Sequence, residues 1–460
     1  MGARHGPEDV TFPKAARRQR GTTPRSFREG QQKENGVKIK LAYGKTGLEI
    51  ALPDEANVTV VEPKYVAGLP DQAHAVREAL RQPIGSPPLK ALVKPSHRVG
   101  VVFSDVTRPT PNALMLPILL GEIGHVPDEQ IVLFNSTGTH RPNTEAELQA
   151  MLGDEIVERY RIVQNDATDR DSHTLVGTTH SGNEVWIGRE FVACDVRIPT
   201  GFIEPHFFAG FSGGGKAIMP GLALLETVMR NHSAANMDSP LARWGITHGN
   251  PLWEEVREAA AMAQPTFLLN VALNRDKQIT GVFAGDPEKA HAQGCAFVKK
   301  KAMVPVPDAF DIVIASNSGY PLDLNLYQSV KGMSAAAQVV KEGGSIVIAA
   351  DCWDGIPDHG EYGRLLREAE SLESLLATLR APGFQRQDMW QAHIQALICL
   401  KADVYFYSHN LSDEQIKGAF LKPCRDIEAT VARLLQQHGP EATLCVLPEG
   451  PQTIPYVQGE

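Results

Sequence analysis

Short apolar runs without polar alternation punctuate the chain: 98–104 (RVGVVFS), 130–135 (QIVLFN), 195–200 (DVRIPT), then FDIVIAS, SIVIAAD, ADVYFYS and TLCVLP. Runs of this length predict strands buried on both faces. Amphipathic stretches lie between them, among them 113–123, EAELQAMLGDEIVERY and QSVKGMSAAAQVV. Strands alternating with helices predict parallel α/β sheets. Ahead of the first run, VKIKLAY and LEIALP flank Gly44-Lys45-Thr46-Gly47 as a hairpin. Lys299-Lys300-Lys301 and the Pro305/Pro307 pair read as a linker between two rounds of this pattern. The expected organisation is an arm over 1–36, an α/β domain over 37–298 and a second over 299–460, with a cleft between the two.

The arm is a different material. It carries eight Lys/Arg against four Asp/Glu, little apolar content and no periodicity, and is expected to be disordered. The whole 460-residue chain has net charge −9, so removing the arm's +4 leaves −13 on the folded part. An acidic body argues against a protein that coats nucleic acid. At 42% hydrophobic and 22% charged, the composition is that of a globular chain. No run of about 18 uncharged apolar residues is present, and no secretory leader, so a cytoplasmic protein with no membrane partner is expected. The six cysteines, at 194, 295, 352, 399, 424 and 445, form no CxxC pair. They read as reduced thiols, and iron–sulfur and Cys-rich zinc sites drop out.

Residues with chemical potential cluster just after predicted strands, where open parallel sheets bind ligands. Asp105-Val106-Thr107-Arg108 follows the first run, and taken alone it reads as an ordinary turn with an Asp cap and a surface Arg. Ser136-Thr137-Gly138-Thr139-His140-Arg141 follows the second. The third is followed by Glu204-Pro205-His206-Phe207-Phe208 and by Gly213-Gly214-Gly215-Lys216-Ala217. Three glycines let backbone N–H groups approach an anion. Gly210 to Lys216 fits the front of a phosphate-binding P-loop, but Ala217 stands where a Mg²⁺-holding Ser/Thr is needed. The loop can still cradle a phosphate, and Lys216 can still anchor a ligand covalently. His140, His206 and His232 supply acid/base groups and a possible metal ligand, without the tight spacing of a zinc hydrolase. Tyr327, Gln328 and Lys331 lie within one predicted helix, where Tyr327 and Lys331 share a face suited to gripping a carboxylate.

Taken together, SDVTRPTP, STGTHRPNTEAE, EPHFFAGFSGGGKAIMPGLA, Asn231-His232 and LYQSVKG resemble the nickel-dependent lactate racemase family of 2-hydroxyacid racemases and epimerases. The resemblance runs from about 40 to about 450. It implies two Rossmann-like α/β domains with the active site in the interdomain cleft. It also implies a nickel pincer nucleotide (nickel pyridinium-3,5-bisthiocarboxylic acid mononucleotide) covalently linked to Lys216, with His232 as the protein's nickel ligand. His140 and His206 fall on the acid/base pair. Asp105, Gly213, Gly214, Gly215 and Trp390 fall on the cofactor side, and Arg108, Tyr327, Gln328 and Lys331 on the substrate side. The implied partners are a small 2-hydroxy acid and, transiently, cofactor-synthesis and nickel-insertion proteins.

The chemistry asks for these groups. Racemising a 2-hydroxy acid breaks a C–H bond beside a carboxylate, which is a poor electron sink. Loss of hydride to an acceptor, with a base taking the hydroxyl proton, gives a planar 2-keto acid open on both faces. A transferase using the GGGK loop, a pyridoxal-phosphate racemase on Lys216, or a non-catalytic holder of the nickel cofactor are the competing readings.

Overall fold

The computed structural model describes residues 36–458 apart from 55, 63, 358 and 359, so the arm lies outside the described residues. Two six-stranded sheets form the α/β frame. In the first, the order is Ile279–Gly285, Leu268–Leu273, Val196–Phe202, Val99–Ser104, Ile131–Ser136 and Arg161–Gln164. All neighbours run parallel except the edge strand Ile279–Gly285, which is antiparallel. Side chains of Val99, Val101 and Phe103 enter the apolar cluster on one face, and Val102 enters the cluster on the other. Burial on both faces is why these strands read as unbroken apolar runs.

The second sheet is parallel throughout, in the order Lys422–Cys424, Asp403–Tyr407, Val340–Ala349, Phe310–Ser316, Thr443–Leu447 and Asn57–Val60. Its last strand corrects the expected boundary: residues 37–60 were expected with the first domain and pack with the second. Asn57–Val60 covers what would otherwise be the open edge of Thr443–Leu447. Leu41, Ile50 and Leu52 of the hairpin pack with Ile427, Val431 and Leu434 of the helix Ile427–His438. The expected linker is also ordered. Lys299, Lys300 and Lys301 form the last turn of the helix Pro287–Ala302, where cations oppose the negative end of the dipole. The strand Met303–Val306 follows and pairs with Ile454–Val457.

Both sheets reverse strand order about a central strand. In the first, the chain moves outward from Val99–Ser104 to one side, then returns to place Val196–Phe202 on the other. Loops leaving those two strands diverge and open a crevice. The second sheet does the same between Phe310–Ser316 and Thr443–Leu447. Among the described residues no helix is long and apolar enough to cross a membrane, and the six cysteines are free.

The placement of the hairpin has a direct consequence. Leu41→Ala, at a fully buried position, is expected to lower stability by about 2–5 kcal/mol. Urea denaturation followed by a probe in the second sheet checks it.

Candidate active site

The strand-end loops fill the crevice, and helix ends of the second unit close it into a cleft of about 390 Å³. Asp105, Arg108, His140, His206, Gly213, Lys216, His232, Tyr327, Gln328, Lys331 and Trp390 all line it. Local bonding explains how each loop holds its shape. The amide of Arg108 donates to the Asp105 carbonyl at 3.1 Å, and His140 N–H donates to the Thr137 carbonyl at 3.0 Å. Gly138, at φ +59°, turns the second loop so that its N–H reaches the Gly221 carbonyl at 3.0 Å. Ser104, Thr107, Ser136, Thr137 and Thr139 also border the cleft, with the Ser136 hydroxyl donating to the Ala217 carbonyl and the Thr137 hydroxyl to the Asn165 carbonyl.

The three histidines differ in what holds Nδ1, and that decides what Nε2 can do. His140 Nδ1 lies 2.8 Å from Asp105 Oδ2, so Nδ1–H donates to the carboxylate and Nε2 keeps its lone pair. Burial pushes the Asp105 carboxyl up, but the hydrogen bond from His140, with Arg108 and Thr107, outweighs it and holds the carboxyl below its ordinary range. His232 Nδ1 donates to the Val228 carbonyl at 3.1 Å, which likewise frees Nε2. Burial and the nearby Lys216 pull its pKa down to about 3, so the ring stays neutral. His206 is the opposite case. The Ala209 N–H donates to its Nδ1 at 3.2 Å, so the neutral ring carries its proton on Nε2. Burial, then Lys216, Arg108, Lys331 and His232, push its pKa well below the ordinary value.

Cations crowd the same space. Burial, then Arg108 and Lys331, bring Lys216 down to about 7, against a smaller upward pull from Glu204. Lys331 falls to about 8 for the same first two reasons, burial and Arg108. Glu204 stands 3.7 Å from Arg108. Its carboxyl is raised by burial, an effect the three cations only partly offset. The helix Leu326–Ala337 brings in the second unit's groups, its N-cap Asn325 accepting from the Gln328 amide at 3.1 Å. Tyr327 Oη accepts from Trp390 Nε1 at 3.2 Å, and the Tyr327 carbonyl accepts from the Gln391 side chain. Gln328 Oε1 is buried with no partner among the described residues. Gln328 itself borders the cleft, so a bound ligand is one source of a donor for this acceptor.

Two of the sequence-selected glycines sit elsewhere. Gly213 borders the cleft, but Gly214 and Gly215 line a groove of about 570 Å³ on the opposite side of the loop. A Cβ on Gly214 would lie 2.6 Å from the His291 ring, and one on Gly215 would lie 2.8 Å from Ala260 Cβ. Close packing against the helices Pro251–Met262 and Pro287–Ala302, not approach to an anion in the cleft, therefore requires these two glycines. Glu204 heads the third strand-end segment, but no role for it follows from the sequence; its place beside Arg108 shows only in the structure. Among the described residues no group of three or more His, Cys, Asp or Glu could hold a metal ion. A metal at His232 therefore needs further ligands from a bound group.

Comparison with known proteins agrees with this layout. Residues 43–245 match the family model described as the lactate racemase N-terminal domain, and residues 306–454 the lactate racemase C-terminal domain. The chain is 36% identical over 422 residues to a lactate racemase of Thermoanaerobacterium thermosaccharolyticum, covering 90% of this chain and 98% of that protein. It is 37% identical over 418 residues to a lactate racemase of Lactiplantibacillus plantarum, with the same coverage. The structure of the Thermoanaerobacterium apoprotein superposes with a TM-score of 0.86 at 35% identity, over 91% of this chain and all of that one. A Thermotoga maritima protein, with a TM-score of 0.65 at 19% identity over 86% of this chain and all of that one, shares the fold.

The cation crowding is measurable on the cofactor-free chain. Labelling of Lys216 by a small amine reagent, followed by peptide mass, is expected to reach half its maximal rate near pH 7. Arg108→Met removes a repelling charge and should move that midpoint upward.

Proposed function

The chain belongs to the lactate racemase family, and from that premise we propose that it interconverts the enantiomers of a 2-hydroxy acid within this cleft. The observation that carries the reading is the arrangement of the histidines around Lys216: two with Nε2 free, one with Nε2 protonated. Lactate, for which its relatives are named, is the first substrate to try.

The residues present suit the family's nickel pincer nucleotide. A neutral His232 with a free Nε2 is a good donor to a borderline metal ion. An amine near pH 7 in its titration is largely uncharged in mildly basic solution, as thioamide formation at Lys216 requires. Thr139, which also borders the cleft, carries a hydroxyl that can donate to a phosphate. When bound, the group supplies an acceptor for the substrate's α-hydrogen as hydride.

The chain's own residues do the rest. Arg108 and Lys331 take the substrate carboxylate, displacing the loose Arg108–Glu204 pair. Gln328 Oε1 accepts a hydrogen bond from the substrate, and Tyr327, fixed by Trp390, limits its orientation. His140 Nε2 takes the hydroxyl proton of one enantiomer, and Asp105 stabilises the imidazolium that forms. His206 serves the other face. To act as a base its ring gives up the bond from Ala209 and carries its proton on Nδ1 instead. An anionic substrate among Arg108, Lys216 and Lys331 weakens the field that opposes charging of His206. Closure between the two units keeps water from the keto acid.

The test uses protein matured together with the cofactor-synthesis enzymes. His232→Ala should lose nickel. His140→Ala and His206→Ala should keep nickel and lose about 10²–10⁴-fold in turnover, read as loss of optical rotation of an enantiopure 2-hydroxy acid. Full turnover in either acid/base variant contradicts the assignment.

A further inference from the structure

His232 sits on the seam between the two units. The helix Leu225–Asn231, which it caps, places Val228 in an apolar cluster of the first unit. Just beyond, Ala234, Met237, Ala242 and Trp244 are buried with the helices of the second unit. Trp244 Nε1 donates to Ser334 Oγ, at 3.0 Å, on the helix Leu326–Ala337. Dispersion contacts carry little direction, so the polar bonds of the segment, the Trp244–Ser334 bond among them, set its orientation.

A polar cluster fixes it. Asp238 caps the short helix Ala234–Met237, six residues beyond His232. Its Oδ1 accepts from Arg380 Nη2 at 2.7 Å and from His393 Nε2 at 2.8 Å, and its Oδ2 accepts from Arg380 Nε at 2.8 Å. The guanidinium thus grips the carboxylate with two nearly parallel bonds, the geometry that sets orientation as well as distance. His393 lies in the helix Met389–Lys401, one turn after Trp390, and is 0% exposed. Its Nε2 carries the proton, and its Nδ1 has no partner among the described residues. Trp390 closes the circuit: its ring meets the His232 ring edge-on, with centroids 5.0 Å apart. From His232 the path runs along the chain to Asp238, across to His393, back one turn to Trp390, and again to His232.

We propose that Asp238, Arg380 and His393 form a clasp between the two units that positions the His232 ring against Trp390. They are positioning residues for the metal donor and touch neither cofactor nor substrate. The inference rests on the assignment of His232 as the nickel ligand. Outer partners that orient a ligating histidine change metal affinity by about 10–100-fold when removed. A clasp that acts through the backbone and through Trp390 should fall in the same range.

The experiment measures the rate at which cofactor-loaded protein gives up nickel to a chelator, together with its visible absorption spectrum and its thermal midpoint. Asp238→Asn and Arg380→Met should each release nickel about tenfold faster or more, with a changed spectrum. Arg380, 46% exposed, should be replaceable without loss of folding even if the Asp238 variant is not. His393→Gln, whose amide can donate where Nε2 stands, should retain nickel nearly as wild type does. His393→Leu should not. Wild-type release and spectrum in folded Arg380→Met, or equal loss in the Gln and Leu variants, overturns the clasp. A wild-type protein that never holds nickel overturns the assignment of His232, and the clasp as a metal-positioning device falls with it.

Discussion

Arg108, Lys216 and Lys331 line one cleft, and their mutual repulsion governs what the neighbouring groups can be. Each positive charge makes the next harder to hold. Lys216 yields most among the cations, its amine coming down to about 7. The rings of His206 and His232 are kept from charging by burial and by the same field. A site that keeps the His206 and His232 rings neutral and brings the Lys216 amine down to about 7 offers lone pairs rather than a wall of charge. It also draws anions, because a carboxylate or phosphate entering the cleft relieves the repulsion. Glu204 relieves it in part, at a distance of 3.7 Å from Arg108 that leaves the guanidinium open to exchange.

The frame makes this crowding possible. Arg108, His140 and Lys216 stand on loops at the reversal point of the first sheet, while Lys331 arrives on a helix that follows the central strand of the second. Charges that would repel within one loop are held by two separate cores. The seam between those cores then becomes part of the chemistry. His232 is bonded through Nδ1 to its own helix in the first unit and contacts an aromatic ring of the second. The proposed clasp makes its Nε2 direction depend on how the two units meet.

Much of this is legible in the sequence, and the exceptions share a physical cause. The strands of the two parallel sheets show as apolar runs because burial on both faces leaves no alternation to hide them. The loops bearing Asp105, His140 and His206 are visible because reactive side chains directly follow those runs. What a linear reading misses is set by contacts distant in the chain. Nothing in Asn57–Val60 announces that it completes a sheet whose other strands begin near residue 310. The triple glycine signals close approach, and close approach is found, but for Gly214 and Gly215 the neighbours are His291 and Ala260. The identity of the Nδ1 partners, which separates His206 from His140 and His232, depends on a backbone amide and a backbone carbonyl that no motif encodes.

In the proposed function, one crowded cleft holds a tethering lysine, a metal-donating histidine and a 2-hydroxy acid together. The decisive measurement is intact and peptide mass of the cofactor-loaded protein, with nickel quantified on the same sample and racemisation of enantiopure lactate and its homologues followed in parallel. The expected result is a mass increment confined to the Lys216 peptide, about one nickel per modified chain, and racemising activity in proportion to both. Activity from a chain with unmodified Lys216 and no nickel would contradict it.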